Sequence, residues 1–321
     1  MTENREAPTR EGVEAAARRI AGWVTRTPLL PFEWRGRRLW AKAECLQQGG
    51  AFKLRGATNR LLQLTDAEKR HGVVAFSSGN HARGVAIAAR RLGIAATIVM
   101  PSDAPVVKRE ATAAEGAAIV LYDRMNEDRI AIAGRISQET GAIVVPSFDD
   151  VDIVEGQGTV GIEIGEQLGR EPPLVVVPCG GGGLSSGIAL ALPGSRVVPV
   201  EPAAWDDMAR SLERGEIVPV GADAPPTRLD ALQTPVVSPY TFGVLHARGV
   251  RGLAVSDVEA FAAMRFAFDS LRLVVEPGGA AALAAVLADK VADVPEGSVV
   301  VLSGGNVDPG FYASVLNGSA A

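Results

Sequence analysis

The sequence predicts an α/β protein: two three-layer α/β/α lobes with mostly parallel sheets, meeting at a cleft. Three observations carry this. Short Val-rich runs, such as Val73-Val74-Ala75-Phe76, Leu174-Val175-Val176-Val177 and Ser298-Val299-Val300-Val301-Leu302, alternate with helical periodicity. Several of these runs lead straight into polar, glycine-rich turns. The 321 residues, 47% hydrophobic and 21% charged, suffice for one large or two medium domains with sizeable cores.

Taken in order, Val13, Ala16, Ala17, Ile20 and Val24 fall on one face of a helix expected over residues 11–24, which Thr27-Pro28 ends. Residues 39–44 read as a strand and 54–64 as a helix. Strand 73–76 then leads to helix 82–92, strand 96–100 to helix 108–115, and strand 118–121 to helix 126–140, with strand 143–145 closing the series. Such alternation means a parallel sheet covered by helices. It resumes with helix 158–168, strand 174–177, helix 187–192 and strand 196–200. Residues 203–250, rich in Pro, Gly and Arg, read as irregular. Helices over 257–271 and 278–288 precede a last strand, 298–302.

A net charge of −5 with no basic stripe argues against nucleic acid or an acidic membrane as partner. Cys45 and Cys179 form no CxxC pair, the start is charged rather than signal-like, and apolar runs break before a spanning length. A reducing cytoplasm is the expected location.

The chemistry centres on Lys53, set in Ala51-Phe52-Lys53-Leu54-Arg55-Gly56-Ala57. A lysine among apolar residues is easily desolvated, which exposes an amine able to form a Schiff base. Alone, it also fits a helix lysine whose stem packs and whose head reaches water. Gly180-Gly181-Gly182-Gly183, followed by Leu184, lies between a buried strand and a helix, where backbone N–H groups and the helix dipole suit a phosphate. The run misses G-x-G-x-x-G in every register, although Glu201 ends the next strand where a ribose-binding acid would sit, so a nicotinamide enzyme stays open. Ser77-Ser78-Gly79-Asn80-His81 sits at a strand-to-helix junction and suits a carboxylate, or ordinary helix capping. Ser303-Gly304-Gly305-Asn306 is a third polar turn after a buried strand.

Together these segments resemble the fold-type II pyridoxal-phosphate enzymes, which share the tryptophan synthase β-like fold, and within them the serine/threonine dehydratase and serine racemase group. They occur in that family's order. His81-Ala82 after Asn80 separates the chain from cysteine synthases, which carry threonine and glycine there. The resemblance implies a large cofactor-binding domain of residues 1–70 and 148–321 and a small substrate-side domain of 71–147. Lys53 would hold pyridoxal 5′-phosphate and move the Cα proton, alone or with Ser78 on the opposite face. Glycines 180–183 with Leu184 would bind the cofactor phosphate, Asn80 its ring oxygen, Phe52 its ring and Ser303 its pyridine nitrogen. Ser77, Ser78, Gly79, Asn80 and His81 would hold the substrate carboxylate.

A neutral hydroxyl at the pyridine nitrogen makes a weaker electron sink than a carboxylate, which suits rapid loss of a β-leaving group. The implied reaction is therefore α,β-elimination of a β-hydroxy amino acid to a 2-oxo acid and ammonia. Racemisation on the same scaffold is the alternative. Arg129 aligns with a substrate-side arginine of some members and would favour a second carboxylate, as in 3-hydroxyaspartate. Glu276, in Glu276-Pro277-Gly278-Gly279, would lie near the cofactor or support the site. Glu201, the Trp205 carbonyl and Asp207 resemble the family's site for Mg²⁺ or Ca²⁺, an all-oxygen set suited to a hard cation. The resemblance also implies a homodimer, and no regulatory domain is expected after Asn306.

Overall fold

In a computed structural model, residues 7–77, 79–104 and 106–320 are described. Helix α1 (Arg10–Ile20) precedes a hairpin of β1 (Leu29–Trp34) and β2 (Arg37–Ala43), then α2 (Lys53–Leu62) and α3 (Asp66–His71). The alternating series follows as β3 (Val73–Phe76), α4 (Asn80–Leu92), β4 (Ala96–Pro101), α5 (Val106–Ala113), β5 (Ala118–Tyr122), α6 (Arg129–Thr140) and β6 (Ile143–Val144). The chain continues through α7 (Val151–Leu168), β7 (Leu174–Pro178), α8 (Gly183–Ala191), β8 (Arg196–Pro202), α9 (Asp207–Arg214) and α10 (Pro239–Ala247). It ends with β9 (Leu253–Val255), α11 (Asp257–Phe266), α12 (Pro277–Leu287), β10 (Val299–Leu302) and α13 (Pro309–Leu316).

The strands form two sheets, six-stranded in the order β1-β2-β10-β7-β8-β9 and four-stranded in the order β5-β4-β3-β6. Every pairing is parallel except the β1–β2 hairpin. Each sheet buries apolar side chains on both faces, as parallel sheets must. Val176, Val200 and Val300 point to a core shared with α11 and α12, whereas Val175, Val177 and Val301 point to one shared with α8. In the smaller sheet, Val73, Ala75 and Ile98 pack on α2 and α4, and Val74 and Val99 on α6. Two three-layer lobes result.

Several elements differ from the sequence reading. The hairpin turn Arg35-Gly36 has both residues at positive φ, 51° and 72°, the twist a two-residue hairpin needs. Its arginine disguises a turn usually written Asn-Gly or Asp-Gly. Helix α1 stops at Ile20, since Ala21 is extended and Gly22 has φ 81°. Helix α3 carries a capping box between Thr65 and Glu68. Helix α7 begins at Val151, seven residues before the expected 158, because the Asp150 side chain caps it by accepting from the Ile153 N–H. The span 203–250 is not wholly irregular: it holds α9 and α10, the latter capped by Ser238 with Pro239 in its first turn.

Candidate active site

The turns after β3, β7 and β10 and the segment after β2 all leave the carboxyl ends of their strands, where α/β proteins place ligands. Lys53 opens α2, and the preceding Phe52 N–H donates to the Ser303 carbonyl at 3.1 Å while Ala51 bridges to Gly304. The lysine is thus tied to the turn after β10. Lys53 Nζ donates to the Ser147 carbonyl at 2.9 Å and lies 5.2 Å from the Phe52 ring centre. Desolvation lowers this amine to about 8. The half-buried lysine turns its amine onto the Ser147 carbonyl in the cavity rather than along the protein surface.

Lys53, Phe52, Ser77, Gly79, Asn80, His81, Arg129, Gly180, Gly181, Gly182, Gly183, Leu184 and Ser303 line one cavity of about 580 Å³. Ser78 lies outside the described residues. Helix α8 begins inside the glycine run, at Gly183, so its first N–H groups face the same cavity as the loop. The glycines are required by their surroundings. A Cβ at Gly181 would run into the Phe148 ring, and one at Gly182, which has φ 86°, into Met208 and Thr241.

Asn80 starts α4, and its amide is held at both ends. Its Nδ2 donates to Glu276 Oε1 at 2.5 Å, and its Oδ1 accepts from Asn306 Nδ2 at 2.8 Å. One amide proton is left for a ligand. Burial pushes Glu276 up to about 7, and Arg83 donates to Asn306 Oδ1 at 3.1 Å. Glu276 therefore supports Asn80 from a different lobe. His81 Nε2 lies 2.9 Å from the Val145 carbonyl, so that nitrogen carries the proton. Burial, reinforced by nearby Lys53, lowers the imidazole to about 3, which keeps it neutral. Ser77 Oγ accepts from the Gly79 N–H at 3.2 Å. Arg129 opens α6 with its guanidinium 5.7 Å from the Phe76 ring centre.

The structure adds residues that no motif announced. Ser147 and Phe148 precede the Asp150 cap, and Thr234, Pro235, Val236 and Val237 face the glycine loop from the span read as irregular. Only the Ser238-Pro239 helix start could have flagged the latter.

Glu201, Trp205 and Asp207 stand apart from the cavity, behind the glycine loop, where Met208 packs on Gly182. Both Glu201 oxygens accept backbone N–H groups, from Met208 at 2.9 Å and Ala209 at 2.8 Å. Burial and the neighbouring Asp207 push Glu201 well above the usual carboxylate range. Burial lifts Asp207 to about 7, against the lowering effect of the Asp207 and Val237 backbone N–H groups. The nicotinamide reading loses its acid here, because Glu201 is buried away from the cavity and occupied by α9.

The family model described as "Pyridoxal-phosphate dependent enzyme" matches residues 20–305. The chain belongs to this family. The pyridoxal-phosphate-dependent enzymes most like it include one named L-threo-3-hydroxyaspartate ammonia-lyase from Saccharomyces cerevisiae, 41% identical over 97% of both chains. One named serine racemase from Schizosaccharomyces pombe is 39% identical over 99% of this chain and 100% of its own. Among solved structures, maize serine racemase superposes with a TM-score of 0.90 at 35% identity, covering 97% of this chain and 98% of its own. The two-lobed fold is the fold of these pyridoxal-phosphate enzymes. The cavity fits the cofactor chemically: a desolvated amine lies on one wall, and a side-chain-free loop running into a helix N-terminus lies on another. No helix among the described residues is long and apolar enough to cross a membrane.

Proposed function

We propose that this enzyme is a dehydratase, or ammonia-lyase, of β-hydroxy amino acids, converting them to a 2-oxo acid and ammonia by α,β-elimination. The observation that carries the reading is the Lys53 amine, lowered to about 8 inside a cavity that also holds the glycine loop. Lys53 would hold pyridoxal phosphate, with the 180–183 loop and Leu184 at the phosphate, Asn80 at the ring oxygen, Phe52 at the ring and Ser303 at the pyridine nitrogen. When bound, the cofactor draws electron density from the substrate Cα and so acidifies its proton. Lys53 Nζ would take that proton, the β-hydroxyl would leave with a proton as water, and the released enamine, as its imine, would take up one water to give the 2-oxo acid and ammonia. Ser77, Gly79 and the N-terminus of α4 with Asn80 and His81 orient the α-carboxylate. Ser78 is assigned to the same turn and to the opposite face of Cα. Arg129 lines the cavity with no acidic partner described, which suits a second carboxylate. With a relative named for 3-hydroxyaspartate at 41% identity, that dicarboxylate is our first choice of substrate, ahead of L-threonine and L-serine.

The test is direct. The purified protein should be yellow, and borohydride reduction should fix the chromophore on Lys53 in peptide mapping. Both diastereomers of 3-hydroxyaspartate, L-threonine and L-serine are then assayed for 2-oxo acid. A label on another lysine defeats the reading. Formation of D-serine from L-serine without 2-oxo acid gives the chain to the racemase reading, and a yellow protein without turnover makes it a binding protein.

Further assignments follow at the scale of the whole chain. We infer a cofactor-binding domain of residues 1–70 and 148–321 and a substrate-side domain of 71–147, a homodimer in solution, and a cytoplasmic location. The juxtaposition of two fully buried acids, Glu201 and Asp207, supports a divalent-cation site completed by the Trp205 carbonyl, where Mg²⁺ or Ca²⁺ would neutralise them.

A further inference from the structure

Lys108 and Asp230 belong to different lobes. Lys108 lies on α5, which covers the four-stranded sheet, and its Nζ reaches the Asp230 carboxylate at 2.7 Å. Asp230 opens a short 3-10 turn, Asp230–Leu232, on the six-stranded side. That turn is fixed from below. Leu229 and Leu232 are buried in the larger core, and Asp257 holds the preceding segment through the Thr227 hydroxyl at 2.5 Å and the Arg228 N–H at 3.0 Å. The backbone of Leu232 also abuts Gly180, where an added Cβ would come within 3.2 Å. One end of the ion pair is therefore anchored against the glycine loop, and the other rides on the opposite lobe.

The pair also has a place between cavities. A second cavity of about 440 Å³ adjoins the first, and Lys108, Asp230, Asn80, Gly79 and Glu276 line both. The pair is part of their common wall, beside the Asn80–Glu276 hydrogen bond. It remains partly in water, with side-chain exposures of 27% and 51%, so it makes and breaks easily.

We propose that Lys108 and Asp230 are positioning residues that form a latch between the lobes, holding the cleft closed over its occupant and sealing the cofactor cavity from its neighbour. The amino-acid lyase reading decides only what the latch closes on. Lobe closure of this kind completes a site and excludes water.

Amide hydrogen exchange on the cofactor-loaded protein without substrate tests it, because the readout needs no turnover. Asp230→Asn and Lys108→Met each speed exchange in residues 106–113 and 227–233 by about two- to fivefold, the range for an exposed pair. High salt speeds exchange in the native protein and leaves the variants unchanged. The charge-swapped double variant, Lys108→Asp with Asp230→Lys, returns to native protection. In turnover, the single variants raise KM more than they lower kcat. Native-like exchange in both single variants, or a swapped pair no better than the single variants, overturns the latch. Loss of 2-oxo acid formation in the native enzyme counts against the lyase reading and leaves the exchange result standing.

Discussion

At the scale of the residue, Lys53 decides what the site can do. Its neighbourhood brings the amine from the ordinary lysine range to about 8 through desolvation. An amine attacks an aldehyde only in its neutral form, so cofactor capture by the apoprotein should accelerate through a midpoint near pH 8. An ordinary lysine would put that midpoint beyond pH 10. Stopped-flow absorbance after mixing with pyridoxal phosphate measures it, and Lys53→Ala shows no capture at any pH. Arg129 makes a second prediction. If its guanidinium holds a distal carboxylate, Arg129→Met should cost 3-hydroxyaspartate about ten- to a hundredfold in kcat/KM, the value of a charge-assisted hydrogen bond. L-serine, which has nothing to place there, should change little. Equal losses on both substrates would return Arg129 to a merely structural role.

At the scale of the element, α2 shows how sequence and fold divide the work. Its motif was legible because a lysine flanked by apolar residues is a local signal, as are the three polar turns after buried strands. Ser147, Phe148 and the 234–237 segment were not legible, since nothing local distinguishes them; packing against the glycine loop puts them in the cavity. The same holds for the support beneath Lys53. Two residues on, Arg55 is wholly buried and pairs with Glu44 at 2.8 Å and Glu163 at 2.7 Å, while Lys42 reaches Glu163 at 2.5 Å. This cluster ties β2, α2 and α7 together. Burial, the largest single influence, would raise Glu44, yet Arg55 with help from Lys42 and the Thr27 hydroxyl holds the carboxyl below its ordinary value. Such a group contributes stability above its unfolded pKa and loses it as pH falls through the lower folded value. Arg55→Met leaves Glu44 buried without its partner and should lower unfolding stability by about 3–5 kcal/mol in denaturant titrations. The deficit should be largest near neutral pH and shrink as pH falls, because Glu44, no longer held down by Arg55, protonates more readily in the folded state and stops costing stability in acid.

At the scale of the whole molecule, the two lobes were visible in the β/α alternation, but their relation was not. Residues far apart in the chain meet because the carboxyl ends of both sheets face the same cavity. Asn80 and Arg129 come from the four-stranded side, and the glycine loop and Ser303 from the six-stranded side. A cofactor held by both should therefore stabilise the assembly beyond the segment it touches. By mass action, pyridoxal phosphate at a hundredfold over its Kd adds about 2.7 kcal/mol to the native state if the unfolded chain does not bind it. Differential scanning calorimetry should show the midpoint rising with cofactor concentration, and reduction with borohydride should remove that dependence by making the attachment permanent. Because the contacts come from both lobes, protection from hydrogen exchange should increase in α4 and α8 together. Protection confined to α8 and the glycine loop would mean that the cofactor is a ligand of the larger lobe alone, and that Asn80 and its Glu276 partner do not share in holding it.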